Sequence, residues 1–201
     1  DSSLNADKFA GIKESIDVKK ASIKIDGNAD DWENVNSYDV VKGTDGNDLK
    51  FKCKVSIAWD GDKTMFVKGV LTGPGEMLAA QAQDSSDWWS DDVFEVFMVT
   101  ELPNDEDDNR LGAGHYAVNP KHVFETEDLL KGATAANISL KDGEWVVELG
   151  IPLEGEYLDS IKQSGYLYVK VGIEINSGGE YSLLGRIGGF WDVDNYIKFK
   201  F

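Results

Sequence analysis

A chain of 201 residues, 41% hydrophobic and 11% aromatic, carries enough apolar surface for one well-buried core and is no disordered polymer. Its 37 acidic against 20 basic residues give a formal net charge of −17, a field that repels nucleic acid and anionic membrane surfaces while leaving carboxylates for a hard cation such as calcium. No apolar run approaches the length of a membrane span, and a lone cysteine, Cys53, excludes an internal disulfide.

Residues 1–20 are polar and read as a lead-in or linker. The chain opens at Asp1 without methionine, so a leader or upstream domain is expected to have been removed, which points to a secreted, periplasmic or cell-surface protein. From residue 21 to 201 period-two alternation dominates without an internal repeat and predicts one domain. The first strand is expected at 21–25, ending in the turn Asp26-Gly27-Asn28. Trp32, just beyond, should pack a corner of the domain. Its loop opens like a calcium hand, but Ser37 stands where the closing glutamate belongs, so that motif fails. Strands at 49–59 and 64–71 flank Asp60-Gly61-Asp62, a strong hairpin turn. Cys53 lies on the apolar face of the first, as a small buried hydrophobe. Residues 76–83 look helical.

The next stretch, from Asp87 through Trp88, Trp89, Ser90, Asp91 and Asp92 to Val99, carries the most chemistry. In the strand at 93–99, Phe94, Val96 and Met98 alternate to one face, and Val93, Glu95, Phe97 and Val99 to the other. A carboxylate in so apolar a strand is costly to bury unless it is paired or meets a polar ligand. A nearby Lys or Arg would satisfy it as well as a ligand would. Indole rings beside fixed acceptors suit a sugar, because the ring covers the C–H face while Asp92 and Glu95 bind hydroxyls. That pairing points to carbohydrate.

Further along, Asn104-Asp105-Glu106-Asp107-Asp108-Asn109 is the better-charged calcium candidate, with Asp105, Asp107 and Asp108 as ligands. Strands follow at 115–119, 137–140 and 145–151, the last two joined by Asp142-Gly143. A short helix is expected at 155–163, then strands at 166–176 and 181–186 around Ser177-Gly178-Gly179. Trp59 and Trp145 sit inside alternating strands and read as core. Trp191 instead lies in the glycine-flanked loop Gly188-Gly189-Phe190-Trp191-Asp192, before a last strand at 195–201, and reads as displayed. Many short strands with hairpin turns and no βαβ alternation describe an all-β antiparallel sandwich, of the jelly-roll or immunoglobulin-like two-sheet kind, with one or two short helices. Catalytic motifs are absent: His115 and His122 have no serine or cysteine partner in a recognisable arrangement, and no acidic pair stands out for glycoside hydrolysis.

Taken in order, several segments resemble the family 9 carbohydrate-binding modules, part of a wider group of DOMON-like β-sandwiches. They are Ile25-Asp26-Gly27 with Asp31-Trp32, Val55 to Asp60 followed by Met65-Phe66-Val67, Trp89 to Phe97, Tyr116 to Asn119, Trp145 to Glu148 before Ile151-Pro152, and Trp191. The resemblance implies a non-catalytic module that grips a terminal sugar of a xylan, cellulose or related β-glycan chain between two tryptophans, beside structural calcium, and that accompanies a glycoside hydrolase. It makes Trp89 one wall, Trp191 the other, Glu95 the hydroxyl-binding acid, and Asn119 a polar contact on the neighbouring strand. Ala117 departs from the pattern, since sugar-binding members can carry arginine there; Arg186 or His115 would have to substitute. The same group includes haem-binding domains, which would need an axial pair from Met65, Met98, His115 and His122. A structural or adhesive surface domain is the third reading, with Trp89 and Trp191 as interface aromatics.

Overall fold

The computed structural model describes residues 15–73, 76–139 and 143–201. The expected lead-in as far as residue 14, and Asp142 of one expected turn, lie outside these residues. The alternation resolves into twelve described strands: β1 (Ser15–Asp17), β2 (Lys19–Lys20), β3 (Ser37–Lys42), β4 (Asp48–Trp59), β5 (Thr64–Thr72), β6 (Val93–Val99), β7 (Gly114–Val118), β8 (Thr134–Ser139), β9 (Glu144–Pro152), β10 (Tyr166–Ile175), β11 (Glu180–Leu183) and β12 (Ile197–Lys200). Two short helices accompany them, α1 (Glu106–Gly112) and α2 (Gly155–Ser164).

The strands form two six-stranded sheets. The front sheet runs β1-β12-β10-β6-β7, with β11 also pairing β10; the back sheet runs β2-β4-β5-β9-β8, with β3 on β4. Adjacent pairs are antiparallel apart from β1 with β12 and β2 with β4, which are parallel. Phe94, Val96 and Met98 of β6 and Leu167, Val169, Val171, Ile173 and Ile175 of β10 point inward, against Val55, Val67, Trp145, Val147 and Leu149 of the back sheet. Each such side chain removed from water stabilises the fold by about 1.5–3 kcal/mol. Cys53 is buried here too, and burial pushes its thiol far above the usual range.

Three sequence expectations change, and one strand was not expected at all. The lead-in does not extend to residue 20: Ser15–Lys20 joins both sheets, and Ile16 and Val18 enter the core. Residues 21–25 are not a strand. Ile23 and Ile25 satisfy their alternation by packing with Trp32, Ala58 and Phe66 in a separate apolar cluster, and Lys24 N–H donates to the Asp31 side chain. β3 was not legible because a register shift between Val40 and Lys42 breaks its period. Residues 76–83 are not helical either. The N–H groups of Leu78, Ala80 and Gln81 donate to the carboxylates of Asp92 and Asp91, so no helical ladder can form. Other elements lie near where alternation puts them, although β8 begins at Thr134 rather than 137, with expected Leu140 outside the described residues, and β11 ends at Leu183 rather than 186. The Asp60-Gly61 hairpin closes with Asp60 Oδ1 accepting from three backbone N–H groups and Gly61 at φ 87°, a conformation that favours glycine.

Candidate functional site

Strand β6 is buried along its whole length, so its outward residues Val93, Glu95, Phe97 and Val99 must be covered by something other than the back sheet. Loops supply the cover in two patches. Phe124, Leu129 and a half-buried Trp88 pack over Val93 and Ala117. Tyr196, Phe190 and Trp191 pack over Phe97 and Val99. Glu95 lies on β6 between the two patches.

Register brings polar partners to it. Gly172 of β10 is opposite Glu95, with Lys170 and Glu174 on either side of Gly172 on the same face. On the other flank β7 sets Ala117 opposite Glu95 and His115 opposite Phe97. Gly172 is glycine because Phe190 lies on it: a Cβ there would come within 2.3 Å of Phe190 Cε1. Glu95 is 2% exposed, and its Oε2 lies 2.6 Å from His115 Nε2. The His115 ring stacks on Phe97 with centroids 3.9 Å apart. Glu95 Oε1 is buried without a hydrogen-bond partner, although the Glu174 carboxyl is close enough to interact. Lys170 donates to the Phe190 carbonyl and holds its ammonium over the rings of Phe97 and Tyr196 at 4.7 and 4.4 Å.

Burial governs the charges here. It lifts Glu95 to about 8, against the downward pull of the Glu174 contact and the Lys170 charge. Glu174 rises to about 8 as well, through burial and then the neighbouring Glu95. Lys170 is lowered to about 8 by burial, opposed by Glu95 and Asp192. His115 falls to about 3 through burial and the Lys170 charge. Burial thus disfavours charge on both members of the Glu95–His115 contact. A carboxyl pair that keeps protons can both donate and accept, which suits an uncharged hydroxylated ligand better than a cation.

The Trp191 ring lies at the Phe97 end of this pair, and the backbone of Trp89 is held at the Glu174 end through Asn176. The Trp191 ring meets Phe97 edge-on at 5.5 Å and His115 at 6.3 Å, while Arg110 lies over it at 5.1 Å. Trp89 is 56% exposed, and its carbonyl accepts from Asn176 Nδ2, two residues beyond Glu174. Neither ring is buried away. Trp88 instead stands edge-on to His115 at 5.1 Å and tilted to Phe124, so it anchors the loop that displays Trp89.

The remaining expected ligands turn out to brace this arrangement. Asp92 is fully buried, and its carboxylate accepts from Leu78 N, Ser177 N and Ser177 Oγ. Asn119 is also fully buried: its Oδ1 accepts from the N–H groups of Lys121 and His122, and Nδ2 donates to Asp91. Neither can turn to a sugar without breaking the loops they tie. Arg186 donates to the carbonyls of Gly185 and Tyr196, and His115 is a side chain that meets Glu95.

The acidic segment expected to chelate calcium is helical. Asp105 is the N-cap of α1, accepting from Asp108 N, and Asp108 accepts from Asn104 Nδ2, while Asp107 lies in the first turn. These three carboxylates do not fit a shared cation, and among the described residues no three His, Cys, Asp or Glu side chains converge on one. Helix α1 works on the site differently: the fully buried Asn109 donates to the Trp191 carbonyl and accepts from Tyr196 Oη. For the haem reading, Met65 and Met98 lie in the core while His115 lies on the outer face, so neither methionine shares a face with His115 as an axial pair would need.

A family model described as carbohydrate family 9 binding domain-like matches residues 25–176. Among solved structures, a family 9 carbohydrate-binding module from Caldicellulosiruptor kristjanssonii, in complex with cellotriose, superposes with a TM-score of 0.66 at 20% identity, covering 92% of each chain. A provisionally assigned carbohydrate-binding protein from Bacteroides uniformis ATCC 8492 gives a TM-score of 0.61 at 12% identity, covering 94% of this chain and 99% of that one. No curated protein matches the sequence. With the matched model spanning most of a sandwich whose outer face is built as described, the chain belongs to the carbohydrate family 9 binding domain-like family.

Proposed function

We propose that this chain is a non-catalytic module that holds a sugar unit of a neutral β-linked polysaccharide, such as cellulose or xylan, on the outer face of the front sheet. The observation that supports this reading is the Glu95–Glu174 carboxyl pair, with the Trp191 ring on Phe97 at one end and, at the other, an exposed Trp89 whose backbone is held by Asn176. Flat pyranose rings present C–H groups to indole faces and hydroxyls at their rims. Glu174 is the partly exposed member of the pair, with Glu95 buried beneath it. His115, bonded to Glu95, and Trp88, edge-on to His115, support this surface. A relative bound to cellotriose supports a glucan-type ligand. We place the module outside the cytoplasm, where such polymers are found, as a targeting unit attached to a glycoside hydrolase.

A glycan array followed by titration tests this. The purified chain should bind neutral β-linked glycans, and Trp89→Ala should remove binding without unfolding the protein. Failure to bind any glycan, or unchanged binding by Trp89→Ala and Trp191→Ala alike, contradicts the proposal.

A further inference from the structure

Beside the carboxyl pair the front sheet continues to β11, and register sets Tyr181 directly opposite Glu174 on the same face. Tyr181 is 38% exposed, and its hydroxyl donates to Asn176 Oδ1 at 2.8 Å. The same Asn176 donates through Nδ2 to the carbonyl of Trp89. One amide thus ties the two exposed aromatics together. Tyr181 also lines a surface cleft of about 310 Å³ with Gly43, Asp45, Asn47, Lys50 and Glu180. That volume lies at the lower end of the range of about 300–1,000 Å³ seen for small-molecule sites.

The cleft is preformed. Its far wall is the turn between β3 and β4, closed by bonds from Gly43 N to Asn47 O and from Gly46 N to Gly43 O, both 2.9 Å. Thr44 N donates to Tyr181 O at 2.7 Å, and Gly188 N donates to Thr44 O at 3.0 Å. The wall is therefore bonded both to β11 and to the loop that carries Trp191. A Cβ at position 43 would come within 2.9 Å of Asp45 Oδ1 and 3.2 Å of Tyr181 O, so glycine permits this close approach. Asp45 and Glu180 line the cleft with their carboxylates held in place, Asp45 by Asn47 N and Nδ2 and Glu180 by Lys50 N, so Tyr181 shares a fixed polar lining that suits hydroxyls.

We propose that this cleft is a second carbohydrate subsite, in which Tyr181 takes sugar units of the same neutral β-linked chain beyond the one held between Trp89 and Trp191. The inference rests on the function proposed above. It makes the site an extended track across β6, β10 and β11, so affinity should grow with chain length.

Calorimetric titration of the whole chain with cello-oligosaccharides and xylo-oligosaccharides of two to six units tests it. One aromatic stack lost should lower affinity about threefold to tenfold. Tyr181→Ala should show that loss for the longest oligomers that bind and none for the disaccharide. Tyr181→Phe, which keeps the ring and drops only the bond to Asn176, should retain the length dependence. Equal weakening at every length would mean that Tyr181 acts only through Asn176 and Trp89, and overturns the proposal. Unchanged binding at every length overturns it too, while leaving the main site standing if Trp89→Ala still abolishes binding. If the unaltered chain binds no oligomer, the main reading fails and the subsite falls with it.

Discussion

Trp89 and Trp145 have the same side chain and opposite duties. Trp145 is fully buried in the core, so Trp145→Ala should cost about 3–5 kcal/mol, read as a lower urea midpoint. Trp89→Ala should leave that midpoint nearly unchanged, because the ring is already 56% exposed. Trp191 is half-buried on Phe97, so its removal should reduce both stability and binding. The carboxyl pair adds a pH dependence. Glu95 and Glu174, raised from 4.5 to about 8, contribute stability that is full below about 4.5 and lost as pH rises through about 8. His115, lowered from 6.5 to about 3, contributes stability present above 6.5 and lost as pH falls toward 3. Lys170, lowered from 10.5 to about 8, contributes stability present above 10.5 and lost as pH falls toward 8. Between about pH 6.5 and 8 the glutamates dominate, and the melting temperature should fall as pH rises. Glu95→Gln should flatten that slope; a slope that is flat or rising in the unaltered protein would contradict the account. Glu95 was legible in the sequence because a carboxylate interrupts an apolar strand. Lys170 and Glu174 were not, since outward charges at period two look like an ordinary solvated face until Gly172 reveals that Phe190 closes over it.

Helix α1 shows how an element can be misread when the same residues serve two geometries. Its acids suggest chelation, but they sit where a helix N-terminus attracts negative charge, with Asp105 as cap. Asp105→Ala should cost about 1 kcal/mol of stability. Because Asn109 of this helix holds the Trp191 carbonyl, the same substitution should also weaken sugar binding, which paired melting and titration would show. Residues 76–83 err in the other direction: their helical propensity yields to Asp91 and Asp92, which capture the N–H groups a helix would need. Strands fared better because alternation over a two-sided core leaves few choices, and β6 begins and ends where the pattern puts it.

Across the whole molecule, a net charge of −17 coexists with a site where burial disfavours the charged form of both carboxyls. A neutral ligand meets no long-range field, so affinity for an uncharged oligosaccharide should stay constant within about twofold between about 50 and 500 mM salt. A steep salt dependence would instead indicate a charged partner. The sandwich was legible from turns and alternation, whereas the site's floor depended on the register between β6, β7 and β10, which no single strand reveals. The most direct test of the central claim follows the indole N–H resonances of the six tryptophans by NMR during titration with a neutral β-linked oligosaccharide. The account predicts that Trp89 and Trp191 shift saturably, while Trp145 in the core and Trp32, bonded to Glu148, stay in place. Saturable shifts confined to other tryptophans, or none at any ligand concentration, would contradict it.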